Sequence, residues 1–129
     1  IIASIDVKKE NRKYCVYINN GQEKINIEFK KYLRKIENLP IGEILLNSID
    51  RDGTGFGLDL NLIKFVKDFK KPIILSGGLG KKEHFLDCLK NYSVDGVSTA
   101  NLLNFLGSAL YDIRKFLYKN NLKLANWKF

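Results

Sequence analysis

The spacing of apolar positions changes along the chain, and the changes outline its elements. Ile1–Val7 is an apolar run that takes in Asp6, the pattern of a strand buried on both faces. Lys8–Lys13 is polar. Tyr14–Ile18 is rich in β-formers, Asn19-Asn20-Gly21 is a turn signal, and Ile25-Asn26-Ile27 alternates. Together they predict a β-hairpin over residues 8–27, inserted after the first strand. Glu28–Asn38 carries Phe29, Leu33 and Ile36 at helical spacing, and Pro40 stops that helix.

One unit then repeats. Glu43–Ile49 reads as a strand, Asp50–Gly57 as a loop, and Leu60, Ile63, Phe65 and Val66 as a helix ending near Lys70. Pro72–Leu75 is the next strand, Ser76–Gly80 a glycine loop, and Phe85, Leu86 and Leu89 mark a helix. Val94–Ser98, a short turn at Asn101–Phe105 and a helix over Ala109–Leu122 complete the series. Strands alternating with helices imply parallel βαβ units. Ala3-Ser4-Ile5-Asp6 and Asn47-Ser48-Ile49-Asp50 resemble each other, as repeated strand ends would, each with an Asp beyond the strand. The expected fold class is α/β: half of a (β/α)8 TIM barrel, with four parallel strands, four main helices and the hairpin. A whole barrel runs to about 250 residues.

Composition sharpens this picture. The chain has 129 residues, 45% hydrophobic and 28% charged, so it is neither disordered nor fibrous. No apolar run approaches the roughly 20 residues of a membrane-spanning helix, and no signal peptide opens the sequence; the expected location is cytoplasmic. The absence of Met and the opening in mid-strand predict a piece of something larger. Cys15 and Cys88 lack CxxC spacing and read as two reduced thiols. A single histidine, His84, reads as a flanking residue, and no metal or cofactor site is expected. The net charge of +8 allows an anionic partner, but the lysines are scattered, as on solvated helix faces. Without an aromatic-basic surface motif, nucleic acid is not an expected partner.

In a barrel, chemistry sits at the carboxyl ends of the strands. Asp6 is the candidate for acid/base work: a carboxyl group at an apolar mouth can exchange protons near neutrality. It reads equally well as a turn Asp. Asp50-Arg51-Asp52-Gly53-Thr54 offers a second carboxylate pair, or an Asp-Gly turn with Arg51 neutralising an Asp. Ser76-Gly77-Gly78-Leu79-Gly80-Lys81 joins a strand to a helix and suits a phosphate cradle. It is not a Walker A loop, because Leu75 and Lys82 stand where that motif has Gly and Ser/Thr. Thr99-Ala100-Asn101 follows the last strand, and barrels often hold phosphate between the two final loops.

The segment GEILLNSIDRDGT, at Gly42–Thr54, resembles the sixth-strand region of the cyclase subunit of imidazole glycerol phosphate synthase. The likeness extends through PIILSGGLG at Pro72–Gly80 and back to IASIDVK at Ile2–Lys8, matching the carboxyl-terminal half of that family's barrel. The resemblance implies a synthase that takes ammonia from a glutaminase (amidotransferase) subunit and closes an imidazole ring on a phosphorylated, nucleotide-like substrate in histidine biosynthesis. It implies Asp6 as one of two general acid/base aspartates, the other lying in the half not represented. It implies Asp52 as a supporting catalytic aspartate, and Thr54, Ser76, Gly77, Gly78, Ala100 and Asn101 as substrate and phosphate contacts. Glu43, at the opposite end of the barrel, matches an acidic residue of the ammonia gate. Asn101 in place of Ser and the Ile18-Asn19-Asn20-Gly21 hairpin depart from the pattern. They keep open a paralogue that makes amidino or amino sugars of surface polysaccharide. The open edges of a half-barrel keep open a further reading, a non-catalytic homodimer of half-barrels.

Overall fold

The computed structural model describes residues 1–104 and 107–125. The expected features at Phe105 and Trp127 lie outside the described residues. The strands are β1 (Ile2–Glu10), β2 (Lys13–Ile18), β3 (Glu23–Lys24), β4 (Glu43–Ser48), β5 (Ile73–Ser76) and β6 (Gly96–Ser98). The helices are α1 (Phe29–Glu37), α2 (Ile63–Val66), α3 (Lys82–Asn91) and α4 (Ala109–Lys119), with 3-10 turns at Leu60–Leu62 and Asn101–Asn104. The sheet order is β3-β2-β1-β4-β5-β6. β1, β4, β5 and β6 are parallel, while β2 and β3 extend the sheet antiparallel beyond β1. Four parallel strands with four helices form half of a (β/α)8 barrel.

The helices cover one face of the sheet. Ile5, Val7, Ile44, Leu46, Ile73 and Leu75 share one core with Leu33 of α1, Val66 of α2, Phe85 of α3 and Ile113 and Leu117 of α4. Ile44 and Leu46 are fully buried, and each contributes about 1.5–3 kcal/mol through lost apolar contact with water. The other face carries side chains in levels set by the register. Ile2 lies level with Glu43, Ser4 with Leu45 and Ile74, and Asp6 with Asn47, Ser76 and Ser98.

Several boundaries differ from expectation. The first strand is buried on one face only: Ile5 and Val7 are 2% and 1% exposed, whereas Ile2 is 53% exposed, because no layer of the described residues covers the inner side. The strand also continues through the polar stretch to Glu10, since β2 pairs with it from Asp6–Tyr17 to Glu10–Lys13. The turn joining these arms is Asn11-Arg12, both at positive φ, as a tight hairpin turn requires. β3 is only two residues long; beyond it, Ile25 packs against the core and its N–H bonds the Val16 carbonyl. α2 ends at Val66 rather than near Lys70, and β6 begins at Gly96 rather than Val94. α4 stops at Lys119 because Asn121 takes a left-handed conformation, with the Leu122 N–H returning to the Leu117 carbonyl.

Candidate active site at the carboxyl ends of the strands

The parallel strands end at a cavity of about 220 Å³. Its walls include Ser4, Leu45 and Asn47 from below, and Asp52, Ser76, Gly77, Gly78, Ala100 and Asn101 at the rim. Residues from three separate loops therefore converge, as the sequence pattern predicts for this end of a barrel.

The loops are held by direct contacts with one another. The Gly57 N–H donates to the Gly78 carbonyl at 2.7 Å, and the Asn101 side-chain amide donates to the Gly53 carbonyl at 3.2 Å. Gly77 and Gly78 have φ of +93° and +102°. A Cβ at Gly77 would lie 2.6 Å from the Ser48 carbonyl oxygen, and one at Gly78 would lie 2.4 Å from that of Gly57. These glycines thus allow the loops to pack closely against one another. His84, expected as a flanking residue, closes the same corner: its Nδ1 accepts the Gly80 N–H at 3.3 Å. Burial lowers its pKa below the usual histidine value, reinforced by the nearby Lys81 charge.

Asp6 is not at a strand end. It lies within β1, level with Asn47, and the Asn47 amide donates to its carboxylate at 3.0 Å. Its place near the mouth follows from where parallel pairing stops, at Val7–Ser48, with the rest of β1 belonging to the hairpin. Asn47 is the residue that sequence reasoning missed. Its level beside Asp6 was concealed by the Ser-Ile-Asp likeness, which aligned Asp6 with Asp50 instead. Its Oδ1 is buried without a partner.

The two loop aspartates part company. Asp52 reaches the cavity, whereas the Asp50 carboxylate accepts the Lys9 backbone N–H at 2.6 Å. Arg51 makes no ion pair among the described residues. Thr54 faces its own loop, donating to the Arg51 carbonyl and accepting the Phe56 N–H, and is not part of the cavity wall. Glu43 starts β4 at the opposite end, in a second hollow with Ile2, Ile74 and Asp95. Among the described residues, no three His, Cys, Asp or Glu side chains gather as metal ligands, and no helix is long and apolar enough to cross a membrane.

Beyond the mouth, the Tyr17 hydroxyl donates to Glu10, and Lys24 bonds the same carboxylate at 2.7 Å. Lys24 and then Tyr17 hold Glu10 well below the usual carboxylate range. Cys15 and Cys88 are both free thiols, and burial pushes Cys88 up to about 11.

Comparison with known proteins gives a consistent result. A provisionally named imidazole glycerol phosphate synthase subunit hisF2 of Parasynechococcus marenigrum is 40% identical over 129 residues, 98% of this chain and 48% of that protein. The imidazole glycerol phosphate synthase subunit HisF of Pyrobaculum aerophilum is 36% identical over 95% of this chain and 49% of its own length. The corresponding protein of Hydrogenobaculum is 37% identical, covering 94% and 49%. The chain spans about half the length of the curated relatives it matches. The family model described as histidine biosynthesis protein matches residues 1–111, and the chain therefore belongs to that family.

Proposed function

We propose that this chain forms the carboxyl-terminal half of the cyclase subunit of an imidazole glycerol phosphate synthase. In this reading it receives ammonia from a glutaminase subunit and closes the imidazole ring on a bisphosphorylated, nucleotide-like substrate in the cytoplasm. The observation that carries the reading is the convergence of Asp52, Ser76–Gly78 and Ala100–Asn101 on one cavity, with Asp6 beside it through Asn47.

Each residue has a role its position suits. The backbone around Gly77-Gly78 and Ala100-Asn101 receives one substrate phosphate. Asp6 moves a proton to or from the closing ring, with its acid/base partner supplied by the remainder of the barrel. Asp52 assists from the rim, and Glu43 belongs to the ammonia entrance at the other end. The Asn19-Asn20-Gly21 departure has a backbone explanation. All three residues have positive φ, which Asn and Gly tolerate best, so the stretch suits its turn whichever substrate the barrel takes.

Ammonia-dependent ring closure by the complete barrel tests the proposal. Asp6→Asn is expected to lower kcat about 100-fold or more while phosphate affinity persists. Unchanged turnover overturns the assignment of Asp6. Failure of the full-length protein to support growth of a histidine auxotroph overturns the pathway. β6 and the Ile2–Ile5 segment of β1 each have one unpaired edge among the described residues. The missing half of the barrel is the first occupant of those edges, and a second copy of this chain is the alternative. Light scattering separates the two.

A further inference from the structure

A third hollow opens on the outer wall, between the β1–β2 hairpin and helices α1 and α2. Its volume is about 780 Å³, within the range of small-molecule sites. It shares no residue with the cavity at the strand ends.

Two features define it. The floor is aromatic: the rings of Tyr14, Phe29 and Phe65 lie 5.1–5.7 Å apart, with Ile25 and Ile27 beside them. The rim is cationic: Lys9, Arg12, Lys13, Lys24, Lys30 and Lys64 line the hollow against a single acid, Glu28. Two further acids sit against lining residues, Glu10 on Lys24 and Asp59 on the Tyr14 hydroxyl, and the six cations still outnumber the acids. Only Lys24 of the six forms an ion pair among the described residues, with Glu10. The charge that seemed scattered in sequence is gathered by the fold, because the hairpin brings residues 9–24 over residues 30 and 64.

Cations around an apolar concavity, five of them without an ion pair among the described residues, focus potential on an anion that also offers an apolar surface. Lys9 already lies over the Tyr14 ring at 5.5 Å, so cation and ring are adjacent here; an aliphatic anion would use only the cations, and a neutral ring only the aromatic floor. We infer that the hollow binds a planar-ring organic phosphate of the nucleoside monophosphate class, with the ring against Tyr14 and Phe65 and the phosphate among Lys9, Lys13 and Lys64.

The test titrates adenosine 5′-monophosphate into the intact protein, following amide shifts by NMR, with ribose 5-phosphate and adenosine as separate arms. The expected result is that shifts centre on Tyr14, Ile25 and Phe65, that the nucleotide binds more tightly than either part, and that affinity falls with added salt. Lys13→Gln with Lys64→Gln, both on exposed side chains, is expected to weaken binding about tenfold or more. Absence of binding overturns the inference, as does binding indifferent to the double variant. Shifts confined to Asp52, Ser76–Gly78 and Asn101 place the nucleotide at the strand ends and overturn it too, while leaving the proposed function standing. Equal binding of ribose 5-phosphate reduces the hollow to a plain anion patch and removes the ring from the proposal.

Discussion

Replacing Gly78 with Ala tests whether the glycine loop is fixed by packing between loops. A φ of +102° costs a residue with a Cβ about 1–3 kcal/mol. The added methyl would also meet the Gly57 carbonyl oxygen at 2.4 Å and Cβ of Arg51 at 3.0 Å. Both neighbours must move, which breaks the 2.7 Å bond from the Gly57 N–H to the Gly78 carbonyl, worth about 0.5–1.5 kcal/mol. Against this, alanine restricts the unfolded chain and returns about 0.4–1 kcal/mol. The expected net loss is about 2–3 kcal/mol. Gly53→Ala is the matched control. It has φ of +74° but no atom within 4 Å of the new methyl, so its loss should be about 1 kcal/mol or less. Urea unfolding followed by circular dichroism measures both. With a slope of roughly 1–3 kcal/mol per molar, the Gly78 variant should unfold at a midpoint about 1 M below the control. Equal midpoints would refute the idea that close approach of the two loops dictates this glycine. Phosphate affinity should fall in the Gly78 variant, since the displaced backbone belongs to the cavity wall.

Other residues make further demands. Asn47→Ala removes the hydrogen bond to Asp6, and ring closure by the complete barrel should slow about 10–100-fold with KM little changed; a rise in KM alone would show that Asn47 only binds substrate. His84 has a lowered pKa when folded, so protonation favours the unfolded chain. Its contribution is whole above the ordinary value of 6.5 and declines as pH falls from there toward the folded value. His84→Asn keeps an acceptor for the Gly80 N–H without titrating, and unfolding midpoints measured against pH should lose that decline; an identical slope in both proteins would exclude His84 as its source. Cys88 is 1% exposed, so a disulfide reagent under native conditions should label Cys15 well before Cys88; equal rates would contradict the burial.

Much of this architecture was legible because its signals are local. The α1 spacing, the turn at Asn19–Gly21 and the glycine loop each depend on nearby residues, and each lies where the pattern puts it. The register was not legible. Asp6 pairs with Asn47 rather than standing level with Asp50, since pairing is set by how strands meet across 41 residues. The polar stretch Lys8–Lys13 hid a strand and a turn because β2 supplies the partner that its own composition does not suggest. Of the site, the carboxylates and glycines could be read in advance. The contacts of Thr54, Asn101 and His84 could not, because each depends on which way a loop folds back.

Loops on barrel scaffolds are commonly treated as exchangeable parts. Here the 50–57 loop is bonded to the 76–80 loop through Gly57 and Gly78, and to the last strand's loop through Gly53 and Asn101. A graft of the 50–57 loop therefore inherits two mismatched neighbours, and a graft of either of the others inherits one. Modularity in this scaffold resides in the trio, so redesigned specificity must carry all three segments across together.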